Sequence, residues 1–135
     1  MVTYALDASA VVRYLDGEAG SERVAEIIKS HLAGRCNVVI SAVHWGEIAG
    51  VTCKVHGRAG MDLALSRLAA FGFELVPATA ERALGAALIK LKRKIPYVDA
   101  FGVKLATEPE HILVTADFDL KPVGKDVQIE FLSTK

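Results

Sequence analysis

The chain has 135 residues, of which 52% are hydrophobic and 24% charged, and its 16 basic residues balance its 16 acidic ones. This length and composition predict one globular domain over residues 1–135 and exclude a disordered chain. Zero net charge excludes a strongly basic nucleic-acid binder, so any contact with nucleic acid has to be local. No basic N-terminal region and no apolar run of roughly 20 residues is present, which predicts a soluble cytoplasmic protein without membrane contact.

The N-terminal segment predicts a buried strand that passes directly into a helix at Asp7. The residues before Asp7 are apolar and rich in β-branched or aromatic side chains, and Ser9 is suited to cap a helix from Ala10 toward Asp16. In a parallel sheet such a junction lies at the carboxyl edge, where ligands bind. Asp7 is therefore either a site residue or a second helix cap, and this segment alone leaves both interpretations open.

Helices and strands continue to alternate along the rest of the chain. Predicted helices span 21–31, with Ser21 as the cap, then 41–56, 61–71, 80–93 and 97–107; predicted strands span 37–40, 73–76, 111–115 and 127–132. Gly57 separates the second and third of these helices. Alternation of this kind predicts a mostly parallel sheet with helices on both faces.

Several further acids follow predicted strands or lie near helix starts. Glu47 is the only acid on helix 41–56 and has apolar neighbours, whereas Asp117 and Asp119 follow strand 111–115. Asp99 opens helix 97–107, where an aspartate commonly serves only the helix dipole, and its spacing does not show which edge of the sheet it faces. Turn-forming aspartates explain one of these residues without a function, but they explain the whole set poorly.

Carboxylates gathered at one edge repel each other unless a cation compensates them. Oxygen ligands without a His or Cys set at ligand spacing favour Mg²⁺ or Mn²⁺ over zinc. The one dense basic run, Lys92, Arg93 and Lys94 after Lys90, is typical of a solvated helix end, with phosphate contact as the alternative.

Together these motifs resemble the PIN-domain family, and the length is similar to that of its VapC-type toxin ribonucleases. The resemblance rests on Asp7-Ala8-Ser9, Glu47, the run 96–100 (PYVDA) and the run 115–119 (TADFD), and it covers nearly the whole chain. It implies a PIN-like α/β/α sandwich with a five-stranded parallel sheet of order 3-2-1-4-5. One departure is that Asp119 is followed by Leu120, where many members have Phe, which leaves the role of Asp119 open.

The resemblance also implies roles for individual residues. Catalytic residues are Asp7, Glu47, Asp99 and Asp117; metal ligands for Mg²⁺ or Mn²⁺ are Asp7, Asp99 and Asp117; supporting residues are Ser9, Thr115 and Asp119; and candidate RNA contacts are Lys92, Arg93 and Lys94. The implied activity is metal-dependent hydrolysis of RNA by a toxin of a toxin–antitoxin module. The implied partners are a small antitoxin and a second copy held through helices between Val43 and Phe71.

Two alternatives stay open. One is a non-catalytic PIN-like module whose carboxylates are caps. The other is a phosphatase or phospho-acceptor domain, which usually needs an acid where Ser9 stands.

Overall fold

The computed structural model describes residues 1–134 as five strands, five helices and one 3-10 helix. The strands are Thr3–Leu6 (β1), Asn37–Ser41 (β2), Glu74–Val76 (β3), His111–Thr115 (β4) and Gln128–Phe131 (β5). The helices are Ala8–Asp16 (α1), Ser21–Leu32 (α2), Ala42–Ala70 (α3), Ala80–Arg93 (α4) and Tyr97–Ala106 (α5), and the 3-10 helix spans Phe118–Lys125. No helix within this part of the chain is long and apolar enough to cross a membrane.

The strands form one sheet of order β3-β2-β1-β4-β5, and every pair is parallel. This confirms the predicted fold class and strand order. Because all strands point the same way, their carboxyl ends share one edge, and β1 occupies the centre of that edge between β2 and β4.

Apolar side chains alternate between the two faces of the sheet, as the period of a strand requires. In β4, Val114 packs into the core under α1, α2 and α3, whereas its neighbour Leu113 packs into the core under α4, α5 and the 3-10 helix. Both side chains are fully buried. Burial on both faces makes the central strands continuous apolar runs, which is the pattern typical of a parallel sheet.

The structure corrects two predicted helix caps. Helix α1 is capped by Asp7, whose side chain accepts a hydrogen bond from the Ala10 N–H, and Ser9 lies within the first turn. Helix α2 begins at Ser21 itself, and its N-cap is Gly20, which has a φ of 93° and no capping side chain. Local sequence favoured serine at both positions, but the turn geometry before each helix selects the neighbouring residue.

The predicted helices 41–56 and 61–71 meet without a loop. They form the single element α3, in which Gly57 has non-helical dihedral angles (φ 75°, ψ 178°) and produces the kink. The left-handed φ is readily adopted only by glycine, so Gly57 separates the helices as predicted. Residues 118–125, which lie between the predicted strands 111–115 and 127–132, form the 3-10 helix that carries the chain from β4 toward β5.

Candidate active site

Asp7 combines a capping role with a free carboxylate oxygen. Its backbone N–H continues the pairing with β4 by donating to the Val114 carbonyl over 3.2 Å. Its Oδ1 accepts from the Ser9 hydroxyl at 2.7 Å and from the Ala10 N–H at 3.0 Å. Within residues 1–134, Oδ2 accepts no hydrogen bond, although the residue is only 5% exposed. One oxygen thus anchors the side chain, and the other is available to a ligand.

Ser9 and Thr115 connect the ends of β1 and β4 through a chain of hydrogen bonds. Ser9 Oγ accepts from the Ala116 N–H at 2.9 Å and lies 3.3 Å from Thr115 Oγ1, which in turn accepts from the Asp117 N–H at 3.0 Å. Because the Ser9 proton is directed to Asp7, the Thr115 hydroxyl donates to Ser9. The network holds Asp7 and Asp117 in a fixed relation; the supporting role of both hydroxyls in catalysis stays a prediction.

A pocket of about 310 Å³ brings the four predicted catalytic acids together. It is lined by Asp7, Ala8, Ser9, Val12, Glu47, Val51, Asp99 and Asp117. Asp7 and Asp117 come from strand ends, whereas Glu47 lies in the second turn of α3 and Asp99 in the first turn of α5. Asp119 is exposed and does not line the pocket; its backbone N–H donates to Asp117 Oδ1 at 2.9 Å.

No basic side chain of the described chain forms an ion pair with any of these four acids. Partial burial, followed by the charges of Asp117, Asp7 and Glu47, raises the pKa of Asp99 to about 6. The pKa of Glu47 is also raised, first by burial and then by Asp7. The pocket therefore concentrates negative charge that residues 1–134 leave uncompensated.

The basic run lies elsewhere. Arg93 donates to Asp126 through Nε at 2.6 Å and Nη2 at 2.7 Å, and Lys92 reaches the same carboxylate at 3.3 Å. Asp126 precedes β5 and so lies toward the amino edge of the sheet, away from the acids. Lys94 ends α4 in a left-handed conformation and forms no ion pair within the described chain. The RNA-contact role of these residues stays a prediction.

Comparison with known proteins identifies the family. Residues 4–126 match the PIN domain. The chain belongs to the PIN-domain family. No curated protein matches the chain.

Solved structures similar to this PIN domain share its fold at low sequence identity. VapBC2 from Rickettsia felis, bound to a DNA fragment from its promoter, has a TM-score of 0.76 at 15% identity over 98% of this chain and 100% of that one. DNA-bound VapBC from Salmonella typhimurium has a TM-score of 0.72 at 16% identity, covering 97% of this chain and 98% of the other. FitAcB from Neisseria gonorrhoeae has a TM-score of 0.70 at 18% identity, over 93% and 95% of the respective chains.

His44 is a neighbour of the site that the sequence reasoning missed. It is fully buried one helical turn before Glu47, and its Nε2–H donates to the Val98 carbonyl, 3.0 Å away, beside Asp99. Burial lowers its pKa, and Asp7 and Asp99 partly offset that effect. The spacing of three residues from Glu47 was a usable signal, because side chains at i and i+3 lie on one helix face.

PIN domains generally use divalent metal ions, and the donors in this pocket fit such an ion. All four acids offer oxygen, which hard cations prefer, and Asp7 Oδ2 accepts no hydrogen bond from the part of the chain that the structure describes. Among residues 1–134, no three acidic, His or Cys side chains are close enough to enclose an ion directly. A small cation that keeps several water ligands, as Mg²⁺ does, is compatible with this more open arrangement.

Proposed function

We propose that this PIN domain is a Mg²⁺- or Mn²⁺-dependent endoribonuclease and the toxin of a toxin–antitoxin module. The observation that carries the proposal is the pocket in which four carboxylates meet without a compensating cation from the described chain. The family supports it, because the PIN domains of VapC toxins are nucleases in general. The similar VapBC structures support the assignment to a toxin with a partner.

In the proposed mechanism, Asp7, Asp99 and Asp117 are the metal ligands. A divalent ion bound there would lower the pKa of a water molecule and neutralise charge that develops on the phosphate. Ser9 and Thr115 hold Asp7 and Asp117 in place through the hydrogen bonds between the two strand ends. Glu47, which lines the pocket but is not among the proposed ligands, would accept a proton from the attacking water, and the departing 3′-oxygen would take a proton from solvent to become a hydroxyl.

The contacts of the acids argue against both alternatives. In a non-catalytic module the carboxylates would be caps, and Asp7 and Asp117 do accept backbone hydrogen bonds. Glu47 and Asp99, however, accept none within residues 1–134, although both line the same pocket as Asp7 and Asp117. A phosphatase using an aspartate nucleophile would need a second acid beside Asp7, and Ser9 stands there.

A groove on the surface of this protein continues from the acidic pocket, and we assign it to the proposed antitoxin. A cavity of about 250 Å³ between α1 and α3 is lined by residues that include Leu15, Val55 and Leu63, and it shares Val12 and Val51 with the pocket. An apolar segment in this groove could extend an arginine to the carboxylates, since a guanidinium pairs well with two acid oxygens. One partner would thereby cover the groove and block the acids.

We place the surface of the proposed homodimer on α4, and not on the predicted segment between Val43 and Phe71, because the exposed Val55 and Leu63 of that segment line the groove assigned to the antitoxin. Leu84, Leu88 and Leu91 are exposed at helical spacing on α4. An antiparallel pairing about a twofold axis places Leu84 opposite Leu91 of the partner subunit and the two Leu88 side chains near the axis, so the leucine row is self-complementary. Light scattering should show a dimer that Leu88→Glu dissociates, whereas Val55→Glu, in the groove, should leave it intact. A monomer at micromolar concentration would contradict this pairing.

The proposed activity is tested with purified protein and a single-stranded RNA. Cleavage should require Mg²⁺ or Mn²⁺, stop with EDTA, and leave a 5′-phosphate and a 3′-hydroxyl, because attack by water in line with the departing 3′-oxygen leaves the phosphate on the downstream fragment. A shallow pocket cannot reach the deep groove of an A-form duplex, so paired RNA should resist. Cleavage that survives EDTA, or ends carrying a 2′,3′-cyclic phosphate, would refute the mechanism. If cleavage requires the metal as expected, sequencing of cellular RNA ends after induced expression would identify the RNA that is cut.

A further inference from the structure

Phe118 is an exposed aromatic side chain that directly follows one of the acids. It is 39% exposed, and its ring stacks on Phe131 with the centroids 5.1 Å apart and an angle of 11° between the planes. Phe131 ends β5 and is paired in register with Thr115, which ends β4 and leads to Asp117. The two rings therefore lie at the carboxyl edge, about one strand spacing (~4.8 Å) from the strand that supplies Asp117.

The position of Phe118 is fixed by its surroundings. Asp117 is held by its N–H to Thr115 and caps the 3-10 helix through the Asp119 N–H, so the backbone on both sides of Phe118 is anchored. Phe131 supports the ring from behind. An ordered ring that is still exposed can bind a flat ligand with little further loss of side-chain entropy.

One cation lies against the Phe118 ring, although the residues on both sides of Phe118 are acids. Lys121 Nζ lies 5.5 Å from the centroid of the Phe118 ring, where a cation and an aromatic face attract each other. The chain has no net charge, and its carboxylates repel phosphate, so affinity for RNA cannot come from a broad basic surface. Stacking of a base on an aromatic ring, with one cation for a phosphate, supplies affinity without a basic surface and without reading the sequence.

We propose that Phe118, supported by Phe131 and flanked by Lys121, is a base-stacking platform for a nucleotide next to the scissile phosphate of single-stranded RNA. This inference rests on the proposed ribonuclease function and adds a substrate-binding residue to it. The base stacks on the Phe118 ring in place of the Lys121 ammonium, which moves to a neighbouring phosphate. The base thereby helps to hold the next phosphate of the strand over the carboxylates.

The test uses the full-length protein and a short single-stranded RNA containing 2-aminopurine, whose fluorescence is quenched by stacking. In EDTA, where the RNA should stay intact, the unmodified protein and Phe118→Tyr should quench the fluorescence. Phe118→Leu keeps an apolar contact with Phe131 but lacks an aromatic face, so it should bind about tenfold more weakly and quench little. With Mg²⁺, Phe118→Leu should raise KM and leave kcat nearly unchanged. Lys121→Gln should reduce the slope of log binding constant against log salt concentration by about one, because one phosphate contact is lost.

The outcomes separate this inference from the proposed function. If the unmodified protein cleaves RNA and Phe118→Leu binds and quenches equally well, the platform is refuted and the ribonuclease proposal stands. If the unmodified protein neither binds nor cleaves any RNA, both are refuted. If Phe118→Leu instead weakens association with a protein partner and leaves RNA binding unchanged, the ring belongs to a protein interface and the platform is again refuted. A melting temperature equal to that of the unmodified protein establishes that Phe118→Leu is folded.

Discussion

Asp126 and the four acids that line the pocket have opposite electrostatic surroundings. Asp126 accepts two short hydrogen bonds from Arg93 and a third from Lys92, which hold the pKa of its carboxyl well below the usual range. The acids at the carboxyl edge have no such partners within the described chain, and the pKa values of Asp99 and Glu47 are raised. The described chain thus compensates the carboxylate of Asp126 with its own cations and leaves the acids at the carboxyl edge without one.

The largest expected effect is on turnover. Asp7→Asn and Asp99→Asn should each lower kcat for RNA cleavage by about a hundredfold or more, because each removes a charged group from the site that stabilises the reacting phosphate. Asp126→Asn removes the same type of charge away from the pocket and should leave kcat within about twofold, as surface changes remote from the reacting groups usually do. Rates measured at saturating RNA compare the three variants, and equal losses in all of them would contradict the distinction.

The second expected effect is on stabilisation by metal. Mg²⁺ or Mn²⁺ should raise the melting temperature, since a ligand bound only by the folded state at 100 times its Kd adds about 2.7 kcal/mol. Asp7→Asn and Asp99→Asn should each abolish most of this rise, whereas Glu26→Gln, on an exposed position of α2, should retain it. Differential scanning fluorimetry with and without EDTA provides the measurement. A rise that persists in both aspartate variants would exclude a shared metal site.

The third expected effect is on how the free energy of unfolding depends on pH in the absence of metal. The folded pKa of Asp99, about 6, lies above its unfolded value near 3.9, so ionisation of Asp99 costs stability progressively as pH rises from about 4 through 6. In EDTA at pH 7.5, Asp99→Asn should therefore be more stable than the unmodified protein, by about 1 kcal/mol after allowance for solvent screening. Near pH 4 the difference should vanish. Urea unfolding at both pH values measures it, and a destabilised variant at pH 7.5 would contradict the assigned repulsion.

Asp126→Asn should change stability in the opposite direction and by less. Because Arg93 and Lys92 lower the pKa of Asp126, its contribution is present above the unfolded pKa and is lost as pH falls through the folded one. The variant should therefore melt slightly below the unmodified protein at pH 7, and the difference should shrink in high salt, since exposed ion pairs are screened. An increase in melting temperature at pH 7 would overturn the comparison with Asp99.

The smallest expected effect is on RNA affinity through the basic run. Lys94→Gln should weaken binding a few-fold at low salt and reduce its salt dependence, because one phosphate contact releases about one counterion. Lys92→Gln should do less, since its ammonium is already paired with Asp126. Fluorescence anisotropy at several salt concentrations compares the two variants. Unchanged salt dependence in both would remove the basic run from the candidate RNA surface.

The sequence alone determined the fold and part of the site. Buried apolar runs ending in an acid or serine predicted the parallel strands, and the shared carboxyl edge of such strands predicted that Asp7 and Asp117 lie close together. The resemblance to PIN domains added Asp99 and the strand order. The inference from the strands placed Asp7 and Asp117 at one edge because a strand end defines both the position and the direction of the residue that follows it.

Only the tertiary structure decided the remaining features, since they depend on contacts between distant residues. Helix packing brings Asp99 to Asp7, and the meeting of β1 and β4 joins Ser9 to Thr115. The pairing of Arg93 with Asp126 joins two residues that are 33 positions apart, which no local pattern indicates. The stacking of Phe118 on Phe131 likewise requires β5 to pair with β4. Local sequence specifies which groups are available, and long-range packing determines which of them meet and whether their charges are compensated.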